Sequence, residues 1–146
     1  VRKVVEQTPQ VDWNTPLAAL GTTLGEACLT PTRIYVPDVH KALSVGGLRS
    51  AAHITGGGLI ENIPRALPKH LGAVIDPSSW QPLPIFEWLQ SNGTISQSDM
   101  LTTFNMGIGM VLVVSPEQAT AMTEAVGGRV LGHVVEDAQH QVTVAS

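Results

Sequence analysis

The chain has 146 residues, of which 43% are hydrophobic and 14% are charged, and its net charge is −4. This length suits one ordinary domain with a core of its own, and the low charge content argues against a disordered chain. The acidic balance excludes the broad basic surface of a nucleic-acid-binding protein, and the longest apolar run, residues 110–114, is far too short to span a membrane.

Helical and strand patterns alternate along the first half of the chain. The helical pattern at residues 1–7 begins without a capping residue, as expected for the remnant of a helix in a longer protein. The β-branched and aromatic residues of "TRIYV" predict a strand, and Pro37 after it fits the first turn of a helix. The predicted elements are a helix at 1–7, an irregular segment at 11–21, a helix at 22–29, a strand at 32–36, a helix from Pro37 to Gly46 and Gly47, a strand at 51–55 and a short helix at 62–67 with Pro64 in its first turn.

The second half continues the alternation and predicts a single domain. Residues 107–114, apolar on both faces, predict a central strand, and the last two strands are predicted to form a hairpin around Asp137 and Ala138. The predicted elements are a strand at 72–76, a helix at 84–92, a helix after the cap Ser96, the strand at 107–114, a helix at 115–126 capped by Ser115, and strands at 129–136 and 140–145. We therefore predict one α/β (α+β) domain with a mixed β-sheet covered by helices.

A glycine-rich stretch, "HITGGGLIENIPRALP" at residues 53–68, joins a predicted strand to a predicted helix. Glycines there leave backbone N–H groups open to a ligand, and the helix dipole adds partial positive charge, so the stretch is typical of a phosphate cradle. The Thr55 hydroxyl, the Asn62 amide and the Arg65 guanidinium could add donors. A tight turn packed against neighbouring backbone is an equally good interpretation of the pattern alone, and neither common nucleotide fingerprint is present.

Other candidate residues favour structural roles. In "TFNMGIGM", Gly109 lies inside a predicted strand, which indicates either a bulge or a close approach by another group. Arg33 is expected to reach solvent, and Trp80, Phe86 and Trp88 are expected in the core. The five histidines lack metal-ligand spacing with cysteine or carboxylates, so we expect no zinc site.

The single cysteine, Cys28, has no partner for an internal disulfide. Together with the lack of a recognisable signal peptide, this favours a reducing, cytoplasmic location. Cys28 also has no cationic neighbour in sequence that would lower the pKa of its thiol, so we expect it to be unreactive.

Five motifs in a fixed order resemble a known family. They are "LTPTRIYV", "AHITGGGLIENIPRALP", "VIDPSSW", "IFEWLQSNG" and "TFNMGIGMVLVV". In this order they resemble the phosphoribosylformylglycinamidine cyclo-ligases, the aminoimidazole ribonucleotide synthetases of purine biosynthesis. The resemblance covers nearly the whole chain and is weaker at residues 7–21 and after residue 126.

The resemblance implies an ATP-dependent ring closure. In this family ATP phosphorylates the formamide oxygen of formylglycinamidine ribonucleotide, a nitrogen of the same substrate attacks, and phosphate leaves to give the imidazole. Positioning and electrostatic stabilisation carry most of such phosphoryl chemistry. The resemblance also implies a requirement for Mg²⁺ and a homodimer.

Family members have two domains, and residues 1–146 resemble only the second. The resemblance therefore implies that the N-terminal ATP- and magnesium-binding domain is absent from this chain, that it is the partner in the parent protein, and that the isolated chain is inactive. It places one wall of an inter-domain cleft, which holds phosphate or the ribotide substrate, at His53, Thr55, Gly56, Gly57, Gly58, Glu61, Asn62 and Arg65, with Asn105, Gly107 and Gly109 nearby. It assigns no catalytic base, and we expect no metal ligand in this chain.

Two other interpretations remain open from the sequence. One is a related ATP-dependent, oxygen-activating enzyme, such as formylglycinamidine synthetase or the selenophosphate, thiamine-phosphate and hydrogenase-maturation proteins. The other is a non-catalytic binding or dimerisation module. The combination of "ITGGGLIENIPR" with "FNMGIGM" favours the cyclo-ligase.

Overall fold

A computed structural model describes residues 1–145 and shows a mixed α/β fold. The helices are α1 (Arg2–Glu6), α2 (Leu24–Leu29), α3 (Val36–Val45), α4 (Gly58–Arg65), α5 (Pro84–Gly93), α6 (Gln97–Thr103) and α7 (Ala119–Val126). The strands are β1 (Pro16–Leu17), β2 (Thr22–Thr23), β3 (Leu48–His53), β4 (Leu71–Ile75), β5 (Met110–Val114), β6 (Gly132–Glu136) and β7 (Val142–Val144). The predicted helices at 1–7, 22–29, 37–47 and 84–92 and the predicted strands at 51–55 and 72–76 are confirmed to within a few residues.

Strands β3 and β5 form an antiparallel pair, with His53 opposite Met110 and Leu48 opposite Val114. The prediction that the 107–114 strand is central is wrong, because β5 has one strand partner and all five of its residues are half-buried. Of its apolar residues, Val111 and Val113 pack against the core cluster.

The other main sheet has the order β6-β4-β7, with β6 antiparallel and β7 parallel to β4. The predicted hairpin of the last two strands is therefore wrong, since β4 lies between them. The segment that connects β6 to β7 crosses the end of β4 close to Gly72, where a Cβ atom would overlap the Gln141 carbonyl oxygen. Asp137 fixes this crossing: its N–H donates to the His70 carbonyl at 3.0 Å, and its carboxylate accepts from the N–H of Gln141 at 2.8 Å.

The predicted strand at 32–36 is also wrong. Residues 30–35 have no regular structure, and helix α3 begins at Val36. Tyr35 already has helical backbone angles (φ −90°, ψ −4°), and its carbonyl accepts from the Val39 N–H at 2.9 Å. Pro37 fits the start of this helix, and the segment before it forms no strand despite the strand propensity of "TRIYV".

Helix α4 begins at Gly58, four residues before the predicted start, so Pro64 lies inside the helix and not in its first turn. The Ser96 cap is confirmed, since its hydroxyl accepts from the Asp99 N–H at 3.1 Å. The Ser115 cap is wrong, because a 3₁₀ turn at Pro116–Gln118 precedes α7 and the Ser115 side chain makes no capping bond. A two-residue β1–β2 ladder was missed: β1 lies in the segment predicted to be irregular, and β2 lies at the start of the predicted 22–29 helix.

The core lies between the sheets and helices α4, α5 and α6. Its fully buried side chains include Leu59, Leu89 and Met100. Trp80 is buried and its indole N–H donates to the Met106 carbonyl at 3.0 Å, while Phe86 and Trp88 pack against the same cluster, which confirms their predicted place in the core. No helix within residues 1–145 is both long and apolar enough to cross a membrane.

Candidate functional site

The glycine-rich stretch forms a tight loop between β3 and α4. Ile54, the first residue after β3, donates its N–H to the Gly109 carbonyl at 2.9 Å. The N–H of Gly58 then donates to the Thr55 carbonyl at 3.0 Å, which closes the turn, and Gly57 has a left-handed backbone with φ of +95°. The chain thus reverses within four residues and enters the helix directly.

The three glycines of this loop have three different surroundings. A Cβ atom on Gly58 would overlap the carbonyl oxygen of Leu101 in α6 and lie 2.7 Å from that of Phe104, and φ is +56°. A Cβ on Gly57 would lie 2.5 Å from Oε2 of Glu61. A Cβ on Gly56 would meet no atom within 4 Å and the backbone there is not left-handed. Packing therefore requires Gly58, the turn requires Gly57, and neither requires Gly56.

The loop presents unpaired backbone donors at the start of α4. Within residues 1–145, the N–H groups of Gly56, Gly57, Leu59 and Ile60 face no hydrogen-bond acceptor. Such N–H groups at a helix start, with the positive end of the helix dipole, favour an anion. The geometry of the turn and that of an anion cradle therefore coexist in this loop.

Asn62 holds the loop in shape from the helix. Its side chain is buried, with 4% exposure. Its Nδ2 donates to the carbonyls of Gly58 at 2.8 Å and Gly56 at 3.1 Å, and lies 3.4 Å from that of Thr55. The amide hydrogens are therefore directed at the loop carbonyls, so Asn62 acts on any ligand through the position of the loop.

Two exposed charged side chains flank the loop. Arg65 donates to Oδ1 of Asn62 at 3.3 Å and lies 3.8 Å from the Glu61 carboxylate. The side chains of Arg65 and Glu61 are 65% and 55% exposed. The Glu61 carboxylate lies beside Gly57, so Arg65 offsets a negative charge that would otherwise weaken binding of a second anion there.

The second predicted stretch lies directly beside the loop. Asn105 shapes its turn, since its side-chain oxygen accepts from the N–H of Gly107 at 2.9 Å and its carbonyl accepts from that of Ile108 at 2.8 Å. Gly109 is buried, and a Cβ there would overlap the Tyr35 hydroxyl. The Ile54–Gly109 hydrogen bond brings the two glycine-containing stretches together, although the close approach that Gly109 permits is to Tyr35.

Tyr35, which the sequence analysis did not single out, lies next to His53. The Tyr35 and His53 rings meet edge to face with centroids 6.1 Å apart. The Arg33 guanidinium lies 5.8 Å from the centre of the Tyr35 ring and pairs with Asp38 at 2.6 Å. The expectation that Arg33 reaches solvent is confirmed in that its side chain is 60% exposed. Gly109 inside the predicted apolar strand indicated that some group approaches the backbone closely there. The sequence alone could not identify that group as Tyr35.

The remaining reactive side chains do not join the site. Cys28 is exposed, and partial burial raises the pKa of its thiol above the usual value. In the part of the chain that the structure describes, no three histidine, cysteine or carboxylate side chains cluster as metal ligands would.

Comparison with known proteins places this geometry in a family. The chain is 52% identical over 130 residues to a phosphoribosylformylglycinamidine cyclo-ligase of Shouchella clausii, covering 87% of this chain and 38% of that protein. It is 51% identical over 124 residues to the protein of the same name from Brevibacillus brevis, covering 85% and 36%. The chain therefore spans little more than a third of the length of these curated relatives.

A family model described as "AIR synthase related protein, C-terminal domain" matches residues 4–145, nearly the whole chain. The match includes the glycine loop, the Asn105–Gly109 stretch and all seven helices except the first residues of α1. The mixed α/β architecture agrees with this match. The chain thus belongs to the family of C-terminal domains of AIR synthase related proteins.

Proposed function

We propose that this chain is the C-terminal part of an ATP-dependent cyclo-ligase, which converts formylglycinamidine ribonucleotide to aminoimidazole ribonucleotide in purine biosynthesis. The observation that carries the proposal is the 52% identity, over 87% of the chain, to a protein named for this reaction. More than half of such a protein lies outside the part that matches this chain. By resemblance to the family, that part includes an N-terminal domain that binds ATP and Mg²⁺. The same resemblance supports a homodimer in the cytoplasm.

The glycine loop is proposed to hold a phosphate group. Support comes from the unpaired N–H groups of Gly56 and Gly57, from the start of α4 and from the open space beside Gly56. An anion there gains charge-assisted hydrogen bonds and the helix dipole. The guanidinium of Arg65, 65% exposed, is free to turn from Glu61 towards the incoming anion.

The other proposed wall residues shape this loop or border it. Asn62 holds the loop carbonyls, Gly58 lets α4 pack on α6, and Thr55 is exposed at the turn. His53 borders the loop where β3 ends. Asn105, Gly107 and Gly109 form the adjoining edge, which the Ile54–Gly109 hydrogen bond joins to the loop.

We propose that the role of this chain in the reaction is to position the substrate. The phosphoryl group passes from ATP to the formyl oxygen, a substrate nitrogen bonds to the formyl carbon, and that oxygen leaves with the phosphate. Holding the substrate by a distant phosphate lowers the entropic cost of bringing these atoms together. We propose that Mg²⁺ is held mainly by the N-terminal domain of the parent protein.

The test compares the complete protein with the isolated chain. With formylglycinamidine ribonucleotide, ATP and Mg²⁺, the complete protein forms ADP only when the ribotide is present, and the isolated chain forms none. In the complete protein, Arg65→Ala lowers kcat/KM by about 10- to 100-fold, the effect of one charged hydrogen bond. Arg2→Ala, which removes an exposed arginine of α1, serves as the matched control. A complete, folded protein that forms no ADP with this ribotide contradicts the proposal.

A further inference from the structure

A cavity opens beside the glycine loop, where the segment before α3 meets the end of β3 and the start of β5. Its volume is about 340 Å³, near the lower end of the range for small-molecule sites. It is lined chiefly by Arg33, Tyr35, Val39, His40, His53 and Met110. Three rings, aliphatic side chains and a few polar groups are the composition expected of a small-molecule pocket.

The aromatic wall of this pocket is fixed by its surroundings. Tyr35 lies against the backbone at Gly109, just before β5, because this glycine leaves room for its hydroxyl where any larger residue would overlap it. The His53 ring meets the Tyr35 ring edge to face at 6.1 Å, a favourable arrangement for two aromatic rings. Gly109, just before β5, therefore serves the pocket through Tyr35, which explains the need for a glycine at this position.

The charges around the pocket narrow the class of ligand. Its one nearby carboxylate, Asp38, is 14% exposed, pairs with Arg33 at 2.6 Å and lies 4.0 Å from Lys41. A cationic ligand therefore finds no free negative charge among the lining residues, while Arg33, His40 and His53 offer donors. A flat, neutral ring with lone-pair acceptors fits these walls, since it stacks on an aromatic face and accepts hydrogen bonds at its edge.

The pocket and the glycine loop lie within the span of one nucleotide-like ligand. His53 belongs to the pocket, and Gly56 is three residues further along the chain. Even a fully extended chain covers about 10 Å in three residues. A ligand with its phosphate on the loop can therefore place a group on the other side of its ribose in the pocket.

We propose that this pocket, which we call the Tyr35 pocket, binds the five-membered heteroaromatic ring that the cyclisation creates. The inference rests on the proposed function. The open-chain precursor carries a basic amidine, for which the lining residues offer no unpaired carboxylate, whereas the closed ring is flat and matches the aromatic wall. The pocket then favours ring-like geometry over the open chain, which is the preference that speeds ring closure.

The test measures binding of the ring without its phosphate and without turnover. The probe is 5-aminoimidazole ribonucleoside, titrated into the complete protein by calorimetry under anaerobic conditions. Tyr35→Leu, which removes the ring, raises the Kd of the probe at least fivefold, the lower bound for loss of one aromatic stacking partner. Tyr35→Phe, which keeps the ring, changes the Kd less than twofold. His70→Ala, at an exposed histidine remote from the pocket, leaves it unchanged.

A second variant keeps the test decisive if Tyr35→Leu lowers the melting temperature. His53→Ala removes the other ring of the wall and also weakens probe binding. If folded Tyr35→Leu or His53→Ala protein binds the probe with wild-type affinity, the proposal that the Tyr35 pocket binds the ring is wrong. It is also wrong if Arg65→Ala raises the Kd of the probe as much as Tyr35→Leu does. Lack of ADP formation by the wild-type complete protein overturns the proposed cyclo-ligase function instead, because probe binding is measured without turnover.

Discussion

Replacing Gly56 by valine in the complete protein tests the phosphate loop without disturbing the fold. The backbone of Gly56 is not left-handed, and a Cβ there meets no atom within 4 Å. Gly57→Val is a poorer test, because φ is +95° and its Cβ would lie 2.5 Å from Glu61. Only at Gly56 does an added side chain enter open space beside unpaired backbone donors.

The expected decrease in kcat/KM can be worked out from the backbone N–H groups that the valine side chain blocks. The N–H groups of Gly56 and Gly57 lack acceptors within the described residues. A hydrogen bond to a charged group contributes about 1.5–3 kcal/mol, so loss of both costs about 3–6 kcal/mol in ligand binding. This corresponds to a decrease of about 10²- to 10⁴-fold in kcat/KM. Gly56→Ala, with a smaller side chain, has an intermediate effect.

The assay is ADP formation at varied ribotide concentration, with a thermal melt of each variant. Gly128→Val is the matched control, because Gly128 is also outside the left-handed region and its Cβ would approach only the Val126 side chain, at 3.0 Å. That variant retains wild-type kinetics. A Gly56→Val protein that melts like the wild type and keeps its kcat/KM would refute the reasoning, since the glycine would then serve neither fold nor ligand.

Three further substitutions separate structural from ligand roles. Gly58→Ala forces a Cβ against the Leu101 carbonyl and lowers the free energy of unfolding by about 1–3 kcal/mol, seen as a lower urea midpoint; an unchanged midpoint would contradict the packing role. Asn62→Asp replaces a buried donor by a carboxylate that, when ionised, cannot donate to the Gly58 carbonyl. Because ionisation is favoured at higher pH, the variant lowers the melting temperature more at pH 8 than at pH 5. A loss of stability that does not depend on pH would argue against this geometry. Hydrogen bonds from backbone N–H groups, chiefly that of Gln141, lower the pKa of Asp137, so the stability that Asp137 contributes is present above its unfolded-state pKa and is lost as the pH falls through its folded-state pKa. Asp137→Asn therefore flattens the acid side of the plot of melting temperature against pH. A plot that keeps its acid slope would show that another carboxylate is responsible.

Local signals predicted the helices and the glycine loop well. Pro84 and Ser96 mark helix starts by their own chemistry, and both elements are found where these residues indicated. The strand–glycine–helix order also placed the candidate loop correctly. These features depend on neighbours in sequence, so a single chain contains the information needed to predict them.

Errors arose where distant contacts decide the structure. The "TRIYV" segment has strand propensity, but Tyr35 instead seats its hydroxyl against Gly109, far away in sequence. The last two strands looked like a hairpin because the turn at Asp137 is short, yet they pair on opposite edges of β4. The role of Asn62 could not be predicted either, since its acceptors became clear only once the loop conformation was known.

The position of β4 between β6 and β7 has a consequence for how this chain comes to be folded. Strand β4 occupies residues 71–75, but both of its partners come from residues 132–144. During synthesis on the ribosome, β4 emerges well before any strand that can pair with it, and such long-range pairing is slow to form. Its apolar residues then remain open to other chains until residues 132–144 have emerged. We therefore expect residues 132–144 to be the final requirement for a protected, aggregation-resistant domain.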